Sequence, residues 1–179
     1  VKAGKITAEV REWSKQFVKK GASYLDIAQK IEGRILDKEA ILGFPVNISG
    51  NECAAHDTAL PNDERVLNDE VVKIDIGVCV NGAIGDTAYT VDLSGENGKL
   101  VEASQKALAN VMDMIAIGVT LGEIGKVVED TIVGLGFQPI RNLSGHGLSP
   151  WQVHVPPTVP NYASGDNTPL QKGQIIAIE

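Results

Sequence analysis

Apolar and polar positions alternate on both sides of Asn81-Gly82, in the stretch Lys73-Ile-Asp-Ile-Gly-Val-Cys-Val-Asn-Gly-Ala-Ile-Gly-Asp-Thr-Ala-Tyr89. This pattern predicts a β-hairpin, because Asn-Gly tolerates the positive φ angles of a two-residue type I′ loop. A loop of that length fixes the register: Val80 faces Ala83, Val78 faces Gly85, Gly77 faces Asp86 and Asp75 faces Ala88. Ile74, Ile76, Val78, Val80, Ala83, Thr87, Tyr89 and Val91 then share a core face, and Asp75, Gly77, Ile84, Asp86 and Ala88 share the other. Helical spacing precedes the hairpin. Ile6, Val10, Trp13 and Phe17 predict a helix ending at Gly21, and Ser23-Tyr-Leu-Asp26 reads as a capping box opening a second helix with Leu25, Ala28, Ile31 and Ile35 as its stripe. After the hairpin the order returns. Leu100, Ala103, Ala107, Val111 and Met114 predict a third helix, and Thr120-Leu-Gly-Glu123 caps a fourth through Ile124, Val127, Val128 and Leu135.

The similarity extends beyond the periodicity. Gly21-Ala-Ser-Tyr-Leu-Asp-Ile27 matches Gly118-Val-Thr-Leu-Gly-Glu-Ile124, Gly43-Phe44 matches Gly136-Phe137, Asn47-Ile-Ser-Gly50 matches Asn142-Leu-Ser-Gly145, and Glu70-Val-Val-Lys-Ile-Asp75 matches Gln174-Ile-Ile-Ala-Ile-Glu179. The extra residues of the second copy fall in the Pro-rich stretch 155–169. A duplicated helix-helix-strand unit implies an α+β fold of two pseudo-twofold halves, with curved antiparallel strands covered by helices. Glu179 is the counterpart of Asp75. The repeat then stops before a partner for Glu179 is supplied, so a chain truncated at its C-terminus is expected. Val1 in place of an initiating Met suggests a fragment at the other end as well.

Asp75 and Asp86 are diagonal neighbours in the predicted register, roughly 7 Å apart at Cβ, and Gly77 is expected to leave space between them. Two ionised carboxylates about 4 Å apart repel by about 4 kcal/mol at an effective dielectric near 20, a conflict that a divalent cation removes. Asp is also disfavoured inside strands. The three histidines, His56, His146 and His154, lie in Asn51-Glu-Cys-Ala-Ala-His56, Ser144-Gly-His-Gly-Leu148 and Trp151-Gln-Val-His-Val155, the last alternating like a strand. Imidazole with carboxylates suits Co, Mn, Fe, Zn or Ni, and several carboxylates with one histidine suit two ions, the donor set of metal-assisted amide hydrolysis.

The 179 residues, 43% apolar, are enough for one domain with a sizeable core, and the net charge of −7 argues against a dedicated nucleic-acid binder. No apolar run is long enough for a membrane span and no signal peptide is visible, so a cytoplasmic protein with no membrane partner is expected. Cys53 and Cys79 are too few for a disulfide framework and read as reduced core cysteines.

Asn51-x-x-Ala-Ala-His56, Lys73-Ile-Asp75-x-Gly77, Asp86-Thr-Ala, Pro139-Ile-Arg-Asn-Leu-Ser-Gly-His146, His154, Val159-Pro-Asn161 and Ala177-Ile-Glu179 together resemble methionine aminopeptidase of type II, the archaeal and eukaryotic branch. The resemblance covers nearly the whole chain. It implies the pita-bread fold, a single metallopeptidase domain over 1–179, two divalent metals, and removal of the N-terminal methionine from nascent polypeptides by a monomer. Docking on the ribosome is left open. By the same resemblance Asp75, Asp86, His146 and Glu179 match metal ligands, and His56 and His154 match substrate-side histidines that stabilise the carbonyl oxygen and orient the amide. Glu179 also shuttles a proton toward the leaving amine. The family's last glutamate, its last strands and the type II helical insertion have no match here, which implies weak or absent activity for residues 1–179 alone. A prolidase or aminopeptidase P is the alternative enzyme, and a non-catalytic pita-bread binding module is the alternative class.

Overall fold

The computed structural model describes residues 1–179, which divide into two units, Val1–Asn97 and Gly98–Glu179. The first unit runs α1 (Lys2–Ser14), α2 (Tyr24–Leu36), β1 (Ile41–Gly50), β2 (Val71–Val80) and β3 (Ala83–Asp92). Its sheet is antiparallel in the order β1-β2-β3. Alternation in β2 puts Val72, Ile74, Ile76 and Val78 fully inside, against Val10 of α1 and Ile27, Ile31 and Ile35 of α2. Asn81 and Gly82 adopt φ of 51° and 85°, as a type I′ loop requires, and all four expected pairs of the hairpin are present. Helix α1 crosses β3 at Gly85, where any Cβ would lie 2.3 Å from Thr7 Oγ1.

The second unit repeats the order with α3 (Gly98–Met114), α4 (Leu121–Gly134), β4 (Gly145–Ser149), β5 (Gln152–Val159) and β6 (Ile175–Ala177). Ala103, Ala107 and Val111 of α3 meet Leu121, Ile124, Val128 and Ile132 of α4 in its core, together with Val159 and Leu170. Thr120 caps α4 reciprocally: its hydroxyl accepts from the Glu123 amide at 3.2 Å and the Glu123 carboxylate accepts from the Thr120 amide at 2.8 Å. The sheet order here is β5-β4-β6, so β6 pairs with β4 as β2 pairs with β1, while β5 is added on the other side of β4.

Several expectations need correction: Ala83, at the hairpin tip, is exposed rather than on the core face, and Cys53 is only partly buried in its loop while Cys79 is in the core. The first helix ends at Ser14 rather than Gly21, because the buried Ser14 hydroxyl turns back to the Arg11 carbonyl at 2.8 Å and meets Tyr89 Oη at 2.8 Å, after which the chain tightens into three-residue turns. The stripe of α2 starts at Tyr24 instead of Leu25, one position round the helix, and only the Ser23 half of its capping box forms, since the Asp26 carboxylate pairs with Lys30. Leu100 lies on the exposed side of α3, and Leu135 falls just past the end of α4 and is exposed. The space over Gly77 is also filled: its missing side chain is replaced by the ring of Phe44, whose Cε1 lies 2.4 Å from where a Cβ would stand.

Candidate functional site

In the first unit the candidate residues sit on the hairpin and on one loop. Gly77 pairs with Asp86 and Asp75 with Ala88, so both carboxylates project from one face as diagonal neighbours. Both are half-buried. Phe44 stands opposite Gly77 on β1, and register shifts on either side of Phe44 aim its ring across that glycine. The carboxylate face thus gains an apolar wall, which lowers the local dielectric and strengthens attraction to any cation there. His56 lies on the irregular loop 51–66, exposed to solvent and with φ of 64°.

In the second unit three candidates come together. His146 is buried in the middle strand β4, flanked by Gly145 and Gly147. A Cβ on Gly145 would lie 2.3 Å from the Ala177 carbonyl oxygen and one on Gly147 2.3 Å from that of Pro156, so only glycines let β6 and β5 close on this histidine from both sides. His146 Nε2 is 3.2 Å from Glu179 Oε1, and the His146 ring meets the His154 ring edge to face with centroids 4.3 Å apart. His154 projects from β5 and is exposed, as is Glu179.

The His146 ring shows that these groups suit a cation. Nδ1 is 3.1 Å from the Gly147 carbonyl oxygen, which can only accept, so Nδ1 carries the hydrogen. In a neutral imidazole that leaves a lone pair on Nε2, pointing at a carboxylate oxygen that also can only accept. Two acceptors facing each other at 3.2 Å are reconciled by a proton or by a metal ion. His146 and Glu179 in the second unit offer one imidazole nitrogen and one carboxylate, and Asp75 and Asp86 in the first offer two carboxylates, donor types that suit borderline divalent ions.

Two features escaped the sequence reading. Phe44 is one, and its signal was a glycine inside β2 opposite an aromatic residue. The other is a cavity of about 230 Å³ beside Glu179, lined in part by Leu100, Ala107, Leu108, Phe137 and Asn161. Its signal was that Leu100 and Leu108 lie off the buried stripe of α3.

Comparison with known proteins agrees with this chemistry. The model of metallopeptidase family M24 matches residues 1–179. Methionine aminopeptidase of Archaeoglobus fulgidus is 43% identical over 180 residues, covering 100% of this chain and 62% of that protein. The chain therefore spans about three-fifths of that relative's length. Among solved structures, methionine aminopeptidase of Thermotoga maritima has a TM-score of 0.88 and 28% identity, covering 99% of this chain and 75% of that one. Prolidase from Pyrococcus furiosus has a TM-score of 0.84 at 23% identity, over 99% of this chain and 53% of that one, a likeness of fold alone. With a family match over its whole length, this chain belongs to metallopeptidase family M24 and has its pita-bread fold.

Proposed function

We propose that the protein is a metal-dependent aminopeptidase that removes the N-terminal methionine from peptides and newly made chains. Asp75, Asp86, His146 and Glu179 are the proposed ligands of two divalent ions. Bound there, such ions supply Lewis-acid polarisation of a carbonyl and a nucleophile at neutral pH. The observation that carries the reading is His146 Nε2 lying 3.2 Å from Glu179 Oε1, a nitrogen and an oxygen donor close enough to hold one ion between them.

The chain's own groups do the rest of the work. Glu179 is exposed at the end of the strand it follows, so its carboxylate can take up a proton and pass it to the leaving amine. His154 is oriented by the β4–β5 ladder and by the His146 ring, which leaves its imidazole positioned to donate to the carbonyl oxygen of the first residue. His56 orients the scissile amide from its loop. The choice of methionine rests on the 43% identity to a methionine aminopeptidase, whereas the prolidase likeness reaches only the fold.

Release of free methionine from Met-Ala-Ser by the full gene product, loaded with Co²⁺ or Mn²⁺, tests this directly. Activity that vanishes on chelation and returns with metal supports it. Preferential cleavage of Xaa-Pro peptides would transfer the protein to the prolidase reading, and absence of bound metal would favour a binding module.

A further inference from the structure

The loop that carries His56 places the histidine in the left-handed region of backbone conformation. Asn51, His56 and Asn62 all have left-handed φ, of 50°, 64° and 69°, a region uncommon outside glycine that Asn and His enter more often than most residues. The start of the loop is tied to β2: the Asn51 amide donates to the Val71 carbonyl at 2.9 Å, the Val71 amide to Asn51 Oδ1 at 3.0 Å, and Lys73 Nζ to the Asn51 carbonyl at 2.8 Å. Directly after His56 the backbone of Asp57 is tied to β1, its carbonyl accepting from the Ile48 amide at 2.7 Å and its amide donating to Ser49 Oγ at 3.3 Å.

The side chain of Asp57 has a separate restraint. Arg65 Nη1 donates to Asp57 Oδ2 at 2.7 Å and Nη2 to Oδ1 at 3.0 Å, a two-pronged bond. The other edge of the same guanidinium holds Asp63, with Nε 3.1 Å from both carboxylate oxygens and Nη2 2.7 Å from Oδ2. Its flat face lies over the Tyr24 ring of α2, 4.5 Å from the centroid, and the Arg65 carbonyl accepts from the Tyr24 amide at 3.1 Å. The guanidinium beside Asp63 accordingly holds that carboxyl below its ordinary value. One planar group thus ties both arms of the loop to the first turn of α2. A lysine, a point charge without a fork, cannot make these bonds together.

We infer that Arg65 is a positioning residue: by clamping Asp57 and Asp63 against Tyr24 it holds the adjacent His56 backbone in its left-handed conformation and so fixes where the imidazole points. For catalysis this rests on the proposed role of His56. The His56 signal is identified by its disappearance in His56→Ala, and those of His146 and His154 likewise. In proton–nitrogen spectra of the imidazoles, Arg65→Met shifts and broadens the His56 signal and leaves those of His146 and His154 in place, while Arg65→Lys gives an intermediate change. An unmoved His56 signal, or equal movement of all three, overturns the inference. In turnover of Met-Ala-Ser, Arg65→Met lowers kcat on the order of tenfold with KM nearly unchanged, as a misaimed group does. Placed in a His56→Ala background, Arg65→Met costs nothing further, because its effect runs through His56; an additive loss would show a general structural role instead. A wild-type protein that releases no methionine would sink the proposed function, while the imidazole spectra would still decide whether Arg65 positions His56.

Discussion

The two units build one element order from similar sequence, yet only the first adds a side-chain clamp to the segment that carries its exposed histidine. His154 stands on β5 next to Val155, which pairs with Gly147, in a β4–β5 pairing whose register shifts on either side of Gly147. His56 stands on an irregular loop whose Asp57 backbone is bonded to β1 and whose two arms are joined by a side chain, the Arg65 guanidinium. Their glycines differ in the same way. In the second unit Gly147 makes room for a backbone carbonyl, whereas in the first Gly77 makes room for the half-buried ring of Phe44. The two units share an element order while the restraint on each chemical group differs: a backbone bond survives any substitution that keeps the fold, and a side-chain clamp can be removed by one residue change.

The largest expected effects test whether the units divide the chemistry as proposed. Glu179→Gln removes a proton carrier and lowers kcat on the order of a hundredfold or more, measured as methionine release. His154→Ala lowers kcat by a comparable factor while metal content, read by atomic emission, is retained. Asp86→Ala loses metal itself. If His154→Ala lost metal and Asp86→Ala kept it, the assignment of ligands and substrate-side groups would have to be exchanged.

A smaller effect sharpens the comparison of the glycines. Gly147→Ala drives a methyl into the Pro156 carbonyl between two paired strands and costs about 3 kcal/mol of stability, since neither backbone can yield without breaking the ladder. Gly77→Ala meets the edge of the Phe44 ring, which can swing toward solvent, and costs about 1 kcal/mol. Urea unfolding of the two variants checks the order. Equal costs would mean that the Phe44 ring is as fixed as a backbone carbonyl.

The hairpin was legible because Asn81-Gly82 leaves a single short loop and one register, and α4 because both halves of its capping box are local. The histidines and carboxylates were legible as motifs. What was not legible depends on partners distant in sequence. Helix α1 stops early through a hydroxyl contact with Tyr89 on β3, and Phe44 reaches Gly77 because β1 is bulged on both sides of it. The clamp on the His56 loop needs Tyr24, Asp57, Asp63 and Arg65 at once, and no local pattern joins the first turn of a helix to a loop that lies two elements later.

A comparably small effect, seen only at alkaline pH, separates the units. Burial pushes the Tyr89 phenol up to about 12 from an ordinary value of 10.0, against a smaller opposing effect of its bond with Ser14. The folded state therefore binds this proton more tightly than the unfolded chain does. The stability it contributes is fully present below about pH 10 and is lost as pH rises toward about 12, where the folded state would have to ionise a half-buried phenol or open the α1–β3 contact. Allowing for partial exposure of the ring, the loss is about 1 to 2 kcal/mol. Tyr89→Phe removes the titration and flattens the alkaline decline, at the cost of leaving the buried Ser14 hydroxyl bonded to the Arg11 carbonyl alone. Hydrogen exchange between pH 9 and 11, corrected for the intrinsic rate, would then show protection falling first in α1 and β3 of the wild type and not in Tyr89→Phe. If α3 and α4 lost protection at the same pH and to the same degree, the two units would be unfolding as one, and the separate restraint drawn for each would not extend to their stability.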